Sequence, residues 1–195
     1  SLMSFVYKTL EKVVAMDLEE NAFKDNPMHE DQFGFVKGRS TEHALSATVN
    51  EVEKGLHKKE FVITTLLDIK GAFDNIKPSA IIKAMKKQGV RHNVCNMYKQ
   101  YLTNRRCSCT LSDKTVVANL VMGSPQGGIL SPSCGWNCAM NELLTRLKKT
   151  KTHCKAFADD GALITCNLKL SEAIKDAQKA INVAVQWARE MGVEF

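Results

Sequence analysis

Two adjacent carboxylates, Asp159 and Asp160, interrupt an apolar run in the stretch KAFADDGALI, residues 155–164. Like charges side by side repel, and burying an unpaired carboxylate costs several kcal/mol. The pattern that accommodates them is a β-hairpin. Cys154 to Ala158 and Ala162 to Cys166 form two short apolar arms, and Asp159-Asp160-Gly161 forms a tight turn presenting both acids. Something positive must offset them.

A third acid ends a second apolar run. FVITTLL, residues 61–67, is β-branched and continuous, which fits a strand covered on both sides, and Asp68 terminates it. If that strand pairs beside the hairpin, Asp68, Asp159 and Asp160 converge. Hard carboxylate oxygens with no His or Cys nearby select Mg²⁺ or Mn²⁺ over Zn²⁺. Two such ions about 4 Å apart activate an attacking oxygen and stabilise a leaving one in phosphoryl transfer. Taken singly, each acid reads more simply as a solvated turn cap; the surroundings change that reading.

After Asp68 comes IKGAFDNI. Gly71 and Ala72 keep the backbone clear for a triphosphate. Phe73 then places a ring where it could pack under a nucleotide sugar and leave no room for a 2′-hydroxyl; the competing reading is a core aromatic. Asp74 reads as an N-cap or turn former. GSPQGGILSP, residues 123–132, sets three glycines and two prolines around one amide, Gln126, which can both donate to and accept from a nucleotide.

The remaining pattern supplies a frame. A helix is expected over 2–20, followed by a polar stretch and the loop QFGFVKGRST. A second helix over 41–57, capped by Ser40, carries Leu45, Val49, Val52 and Leu56 on one face. Pro78 opens a helix to about Gln88, closed by Gly89. Further helices are expected over 93–103 and 133–148. A hairpin is expected from 106–111 and 115–122 around Ser112-Asp113-Lys114. Ser171 caps a last helix with Ile174, Ala177, Ile181, Ala184, Val185 and Ala188 on its apolar side, ending at Gly192. Strands and helices do not alternate as a parallel doubly wound fold requires. The order predicts an α+β fold, a small antiparallel sheet backed by helices.

Composition agrees. The 195 residues are 44% hydrophobic and 25% charged, enough for one sizeable core or a core with a lobe. No apolar run is long enough to span a bilayer, and the start has no signal-peptide pattern. The chain does not begin with Met, as expected for a piece of a longer protein. Net charge is +6, which mildly favours an anionic partner, with lysines clustered at 54–59, 83–87 and 148–155. Seven cysteines, an odd number whose spacings match no zinc knuckle, read as reduced thiols. They point to a nuclear or cytoplasmic protein, neither secreted nor membrane-bound.

Four of these segments, in this order and spacing, resemble the reverse transcriptase domain of non-LTR retrotransposons, LINE-type elements nearest to the jockey and CR1-like groups. QFGFVKGRST is similar to the family's fingers motif, LLDIKGAFDNI to polymerase motif A, GSPQGGILSP to motif B and FADD to motif C, where Phe157 stands in place of the Tyr of many relatives. The resemblance covers essentially the whole chain. It implies a right-hand polymerase palm with part of the fingers: 1–60 partial fingers, 61–195 palm with fingers-palm helices, no thumb. It implies metal-ligating and catalytic roles for Asp68 and Asp159, with Asp160 supporting the metals and the primer end. Phe73 would be the gate against ribonucleotides, with Ala72 beside it. Gln126 and Gly127 would contact the nucleotide, Gln126 also the template, and Arg39 would face the nucleic-acid or nucleotide channel.

The implied activity is RNA-directed DNA synthesis: a primer 3′-hydroxyl attacks the α-phosphate of a dNTP on an RNA template, with two Mg²⁺ ions, or Mn²⁺. Family members carry an Arg-Pro-Ile segment just before the equivalent of Ser1-Leu2-Met3-Ser4, and an Asn-Pro-x-Lys-Thr stretch and thumb after the equivalent of Phe195. A polymerase fragment is therefore expected. Two other readings stay open: a catalytically inactive nucleic-acid-binding remnant, and a related templated polymerase of group II intron or telomerase-like type. Phe73 argues against ribonucleotide use.

Overall fold

The structure, a computed structural model, describes residues 5–195; the expected helix start at Leu2 lies outside them. Helix α1 (Phe5–Glu20) and a helical turn α2 (Ala22–Asp25) lead into a loop, then α3 (Thr41–His57) and strand β1 (Phe61–Leu67). A short α4 (Ala72–Asn75), α5 (Pro78–Lys87) and α6 (His92–Leu102) follow, then strands β2 (Arg105–Leu111) and β3 (Lys114–Leu120). A π-helical turn, Ser131–Trp136, runs into α7 (Asn137–Leu147). Strands β4 (Thr152–Phe157) and β5 (Asp160–Asn167) and helix α8 (Leu170–Met191) complete the chain.

Local chemistry sets many of these limits. The Ser40 hydroxyl accepts the His43 N–H at 3.3 Å and starts α3. Pro78 occupies the first turn of α5, where its missing N–H costs nothing. Gly89 and Gly192 end α5 and α8 in left-handed conformations.

The sheet has strand order β1-β5-β4, all antiparallel. Leu67 faces Gly161 and Phe61 faces Asn167. β2 and β3 pair only with each other. The loop after α2 adds itself to the β4 edge: Ala156 N–H donates to Asp31 C=O at 2.9 Å, and Phe33 N–H to Ala156 C=O at 2.8 Å. Cys154, Ala156 and Leu163 join one core with α5, α6, α7 and α8, whose largest members are Trp136, Trp187, Tyr98 and Met140. The Trp187 indole N–H, buried there, finds the Ala139 carbonyl at 3.1 Å.

Four expectations are corrected. β1 has the expected bounds but is an edge strand: none of its residues is fully buried, and Phe61, Thr64 and Leu66 are exposed. The apolar row on α3 is not its packing face; Leu45, Val49 and Leu56 stand in solvent. Gly55 decides the matter. A Cβ there would lie 2.7 Å from both Cys166 Sγ and Val62 Cγ2, so the helix seats its small residues on the sheet. The carboxylate turn sits one residue early: Ala158 takes a positive φ of 57°, Ala158-Asp159 forms the turn, and Asp160 already pairs with Phe157 in β5. Helix α8 begins at Leu170 without a side-chain cap, so Ser171 lies inside it, and Ile174 is exposed. Its packing face is a row of alanines, Ala173, Ala177, Ala180, Ala184 and Ala188, with Trp187.

Candidate active site

The strand register brings the three carboxylates to one end of the sheet. Leu67 is opposite Gly161, so the next residue, Asp68, leaves β1 at the same end of the sheet where Asp159 and Asp160 stand. Asp68 and Asp160 are exposed and Asp159 is half-buried. Among the described residues no three His, Cys, Asp or Glu side chains are already drawn into a metal cage. The donor set at this end of the sheet is all oxygen, which fits a hard divalent cation rather than a thiolate-seeking one. Cys154, five residues from Asp159, is no competitor. Burial, with the Asp31 charge adding, pushes its thiol up to about 12, so it is a neutral packing group near pH 7.

Two distant segments brace the carboxylate turn. The Trp136 indole N–H donates to the Ala158 carbonyl at 2.9 Å. Gly34, from the fingers-like loop, packs on the same residue; a Cβ there would lie 2.1 Å from Ala158 N, so only glycine permits the approach. Lys155 pairs with Asp31 at 2.5 Å and ties that loop to β4. Asn137 on α7 donates to Phe35 C=O at 3.1 Å and accepts from buried Gln32 at 2.9 Å, which fixes the loop from below.

Phe73 is half-buried in the same assembly. Its ring meets Trp136 at 5.5 Å and Phe35 edge-on at 6.4 Å. Its carbonyl accepts the Ser124 N–H at 2.6 Å, and Gly123 N–H donates to Ile76 C=O at 2.8 Å. These bonds lock the segment after Asp68 onto the start of GSPQGG. Ser124 is held further by Ser131 Oγ at 2.8 Å and the buried Tyr98 hydroxyl at 3.2 Å. Burial raises the Tyr98 pKa, so this hydroxyl remains protonated. Gln126 and Gly127 lie exposed on the loop.

Two expected contacts are placed elsewhere. Ala72 is buried in the core, so its methyl serves packing rather than an open pocket. Arg39 turns Nη1 toward the carbonyls of His29, at 2.7 Å, Glu30, at 3.0 Å, and Gln32. Its visible work is to close the fingers-like loop.

Glu11 was missed. It is buried, accepts the Ile129 N–H at 2.7 Å, and would meet a Cβ on Gly128 at 2.8 Å, so it seats the far end of the glycine-rich loop. A signal existed: Glu11 shares a helical face with Val14 and Leu18. Trp136 carried no such signal, because its partner lies 22 residues away across the fold.

Comparison with known proteins now bears on this geometry. The family described as reverse transcriptase (RNA-dependent DNA polymerase) matches residues 1–195. The chain is 30% identical, over 163 residues, to a 115 kDa protein of the type-1 retrotransposable element R1DM of Drosophila melanogaster, covering 83% of this chain and 15% of that protein. It is 26% identical, over 201 residues, to the RNA-directed DNA polymerase from mobile element jockey of Drosophila funebris, covering 100% of this chain and 22% of that one. The chain thus spans less than a quarter of the length of these relatives. Apo telomerase from Candida tropicalis, truncated from its C-terminal domain, superposes with a TM-score of 0.69 at 12% identity, over 96% of this chain and 39% of that one. Telomerase of the same organism in complex with the TWJ fragment of telomeric RNA gives 0.65 at 12% identity, over 94% and 32%. At such identity the likeness shows the fold.

Proposed function

This chain belongs to the reverse transcriptase family, and from that premise we propose that it carries the nucleotidyl-transfer centre of an RNA-directed DNA polymerase from a LINE-type mobile element. The observation that supports this most is the register that delivers Asp68 to the sheet end bearing Asp159 and Asp160. In this reading residues 1–60 belong to the fingers and 61–195 to the palm with its fingers-palm helices. The partners are an RNA template, a DNA primer and a dNTP. No helix among the described residues is long and apolar enough to cross a membrane, and partners of this kind imply a nuclear or cytoplasmic protein.

Asp68 and Asp159 would hold the divalent ions, Mg²⁺ or Mn²⁺, with Asp160 supporting them and the primer end. Such ions, when bound, supply charge stabilisation at the reacting phosphate and acidify the attacking hydroxyl. The chain's own contribution is position. Trp136 and Gly34 fix the turn that carries Asp159. Phe73, wedged between Phe35 and Trp136, presents a ring that cannot swing aside for a 2′-hydroxyl. Gln126 and Gly127, on a loop seated by Ser124 and Glu11, contact the nucleotide. Arg39 reaches the nucleic acid indirectly, by shaping the loop that lines the channel.

Primer extension on an RNA template with dNTPs tests the reading. Asp159→Asn should lower the rate by several orders of magnitude while leaving template binding intact. Extension at the normal rate would refute the assignment.

A further inference from the structure

A cavity of about 970 Å³ opens between α5, α6 and the root of the β2–β3 ribbon. None of Asp68, Asp159, Asp160, Phe73 or Gln126 lines it. Five cations do, Lys77, Lys86, Lys99, Arg105 and Arg106, and no Asp or Glu. These charges come from three different parts of the fold, so a run of lysines at a helix end does not account for their meeting. Arg105 is structural: its guanidinium donates to the carbonyls of Leu102 at 3.1 Å, Met122 at 2.6 Å and Gly123 at 2.8 Å, which sets the root of the ribbon.

Lys86, Lys99 and Arg106 differ. They are exposed, and none makes an ion pair among the described residues. Nearby Lys87, by contrast, is neutralised by Glu142 at 2.5 Å. Three exposed cations around one hollow with no acid in its lining raise the local positive potential and favour an anionic ligand.

The rest of the lining narrows the anion. Leu120 and Val121 are 41% and 77% exposed and give the cleft an apolar wall. Asn96, Asn104 and Asn119 add amides able to donate and accept. Cations for phosphates, an apolar wall for base faces and amides for base edges or a 2′-hydroxyl together fit an unpaired strand. A duplex would leave the apolar wall unused, because its base faces are stacked away. We infer that this cleft binds single-stranded RNA through its phosphates and bases, at a site separate from the nucleotidyl-transfer centre. The inference does not rest on the polymerase reading, which uses other residues.

The test is fluorescence anisotropy of an end-labelled, unstructured RNA, without primer or dNTP, on this chain. Combining Lys86→Gln, Lys99→Gln and Arg106→Gln should weaken binding at least about tenfold. It should also lower the slope of log affinity against log salt by about 2, since each single-strand phosphate contact contributes about 0.7. The same charge change made by Lys148→Gln, Lys149→Gln and Lys151→Gln should alter affinity less than about twofold, since those residues lie outside the cleft. Equal losses in the two triple variants, or none in the first, would overturn the inference. So would competition by a blunt RNA duplex, or by polyglutamate, as effective as that of the single strand.

Thiouridine-containing RNA photocrosslinked to the unmodified chain should mark peptides within 96–106 or 119–122, and adducts confined elsewhere would contradict the site regardless of how any variant folds. Asp159→Asn should bind this RNA as the parent does. Loss of extension in that variant and loss of RNA binding in the first triple variant are therefore separate results, and either reading can fail alone.

Discussion

Phe73 is a packing residue to which the proposed reading adds a role in nucleotide selection. Its contacts with Phe35 and Trp136 are those of a core aromatic, yet a ring held rigidly is what steric exclusion requires. Phe73→Val keeps an apolar surface and removes the ring. The ratio of ribo- to deoxynucleotide incorporation should rise at least about tenfold, which needs only ~1.4 kcal/mol of lost discrimination. Single-nucleotide extension on an RNA template measures it; an unchanged ratio with efficient extension would make Phe73 a packing residue alone. Trp136 makes a complementary case. Trp136→Phe keeps a ring against Phe73 but deletes the N–H held by the Ala158 carbonyl. Stability should fall by about 1 kcal/mol in urea. Single-turnover extension should fall more than that loss alone implies, about tenfold or more, because the freed turn carries Asp159. An unchanged rate would show that the turn holds its shape without this bond.

At the level of elements, the loop over residues 29–33 carries a pH-sensitive group. Asp31 N–H donates to His29 Nδ1 at 3.2 Å, so the imidazole is neutral with its proton on Nε2. Burial is the main influence and holds the His29 pKa below 6.5, although Asp31 pulls the other way. The folded chain therefore takes this proton less readily than the unfolded one. The stability that follows is full above the unfolded value of about 6.5 and is lost as pH falls through the lowered folded value. Urea midpoints should decline as pH falls below about 6.5, and His29→Gln should flatten that decline. A decline of the same size in the variant would assign it to other groups.

The same loop marks where sequence reasoning stops. The ends of β1 and α5 were legible because β-branching, Pro78 and Gly89 act locally. The packing face of α3 was not, since Gly55 chooses it through Cys166, more than a hundred residues away in the chain. Arg39 could be singled out by type and position, but its carbonyl partners belong to a loop conformation that no periodicity encodes. The carboxylate turn was legible as a turn and misplaced by one residue, because a positive φ at an alanine is imposed by Trp136 and Gly34 rather than preferred by the residue.

Over the whole molecule, Asp68 and Asp159, 91 positions apart in sequence, are proposed to act as one site because β1 and β5 share a register. The charge distribution sets the setting: Lys155 pairs with Asp31 and Lys87 with Glu142, while Lys86, Lys99 and Arg106 at the ribbon-root cleft make no ion pair among the described residues. Family membership agrees with a polymerase centre, and the likeness to telomerase shows the fold. The coupling of the two carboxylates is what remains to be measured. Mn²⁺ binding, followed by electron paramagnetic resonance on the parent, Asp68→Asn, Asp159→Asn and the double variant, does so directly. Each single change should weaken binding at least about tenfold, or ~1.4 kcal/mol, and the double variant should bind within about twofold of the weaker single one, since a shared site is lost only once. Losses that simply add, or Mn²⁺ affinity untouched by either change, would contradict a shared metal centre.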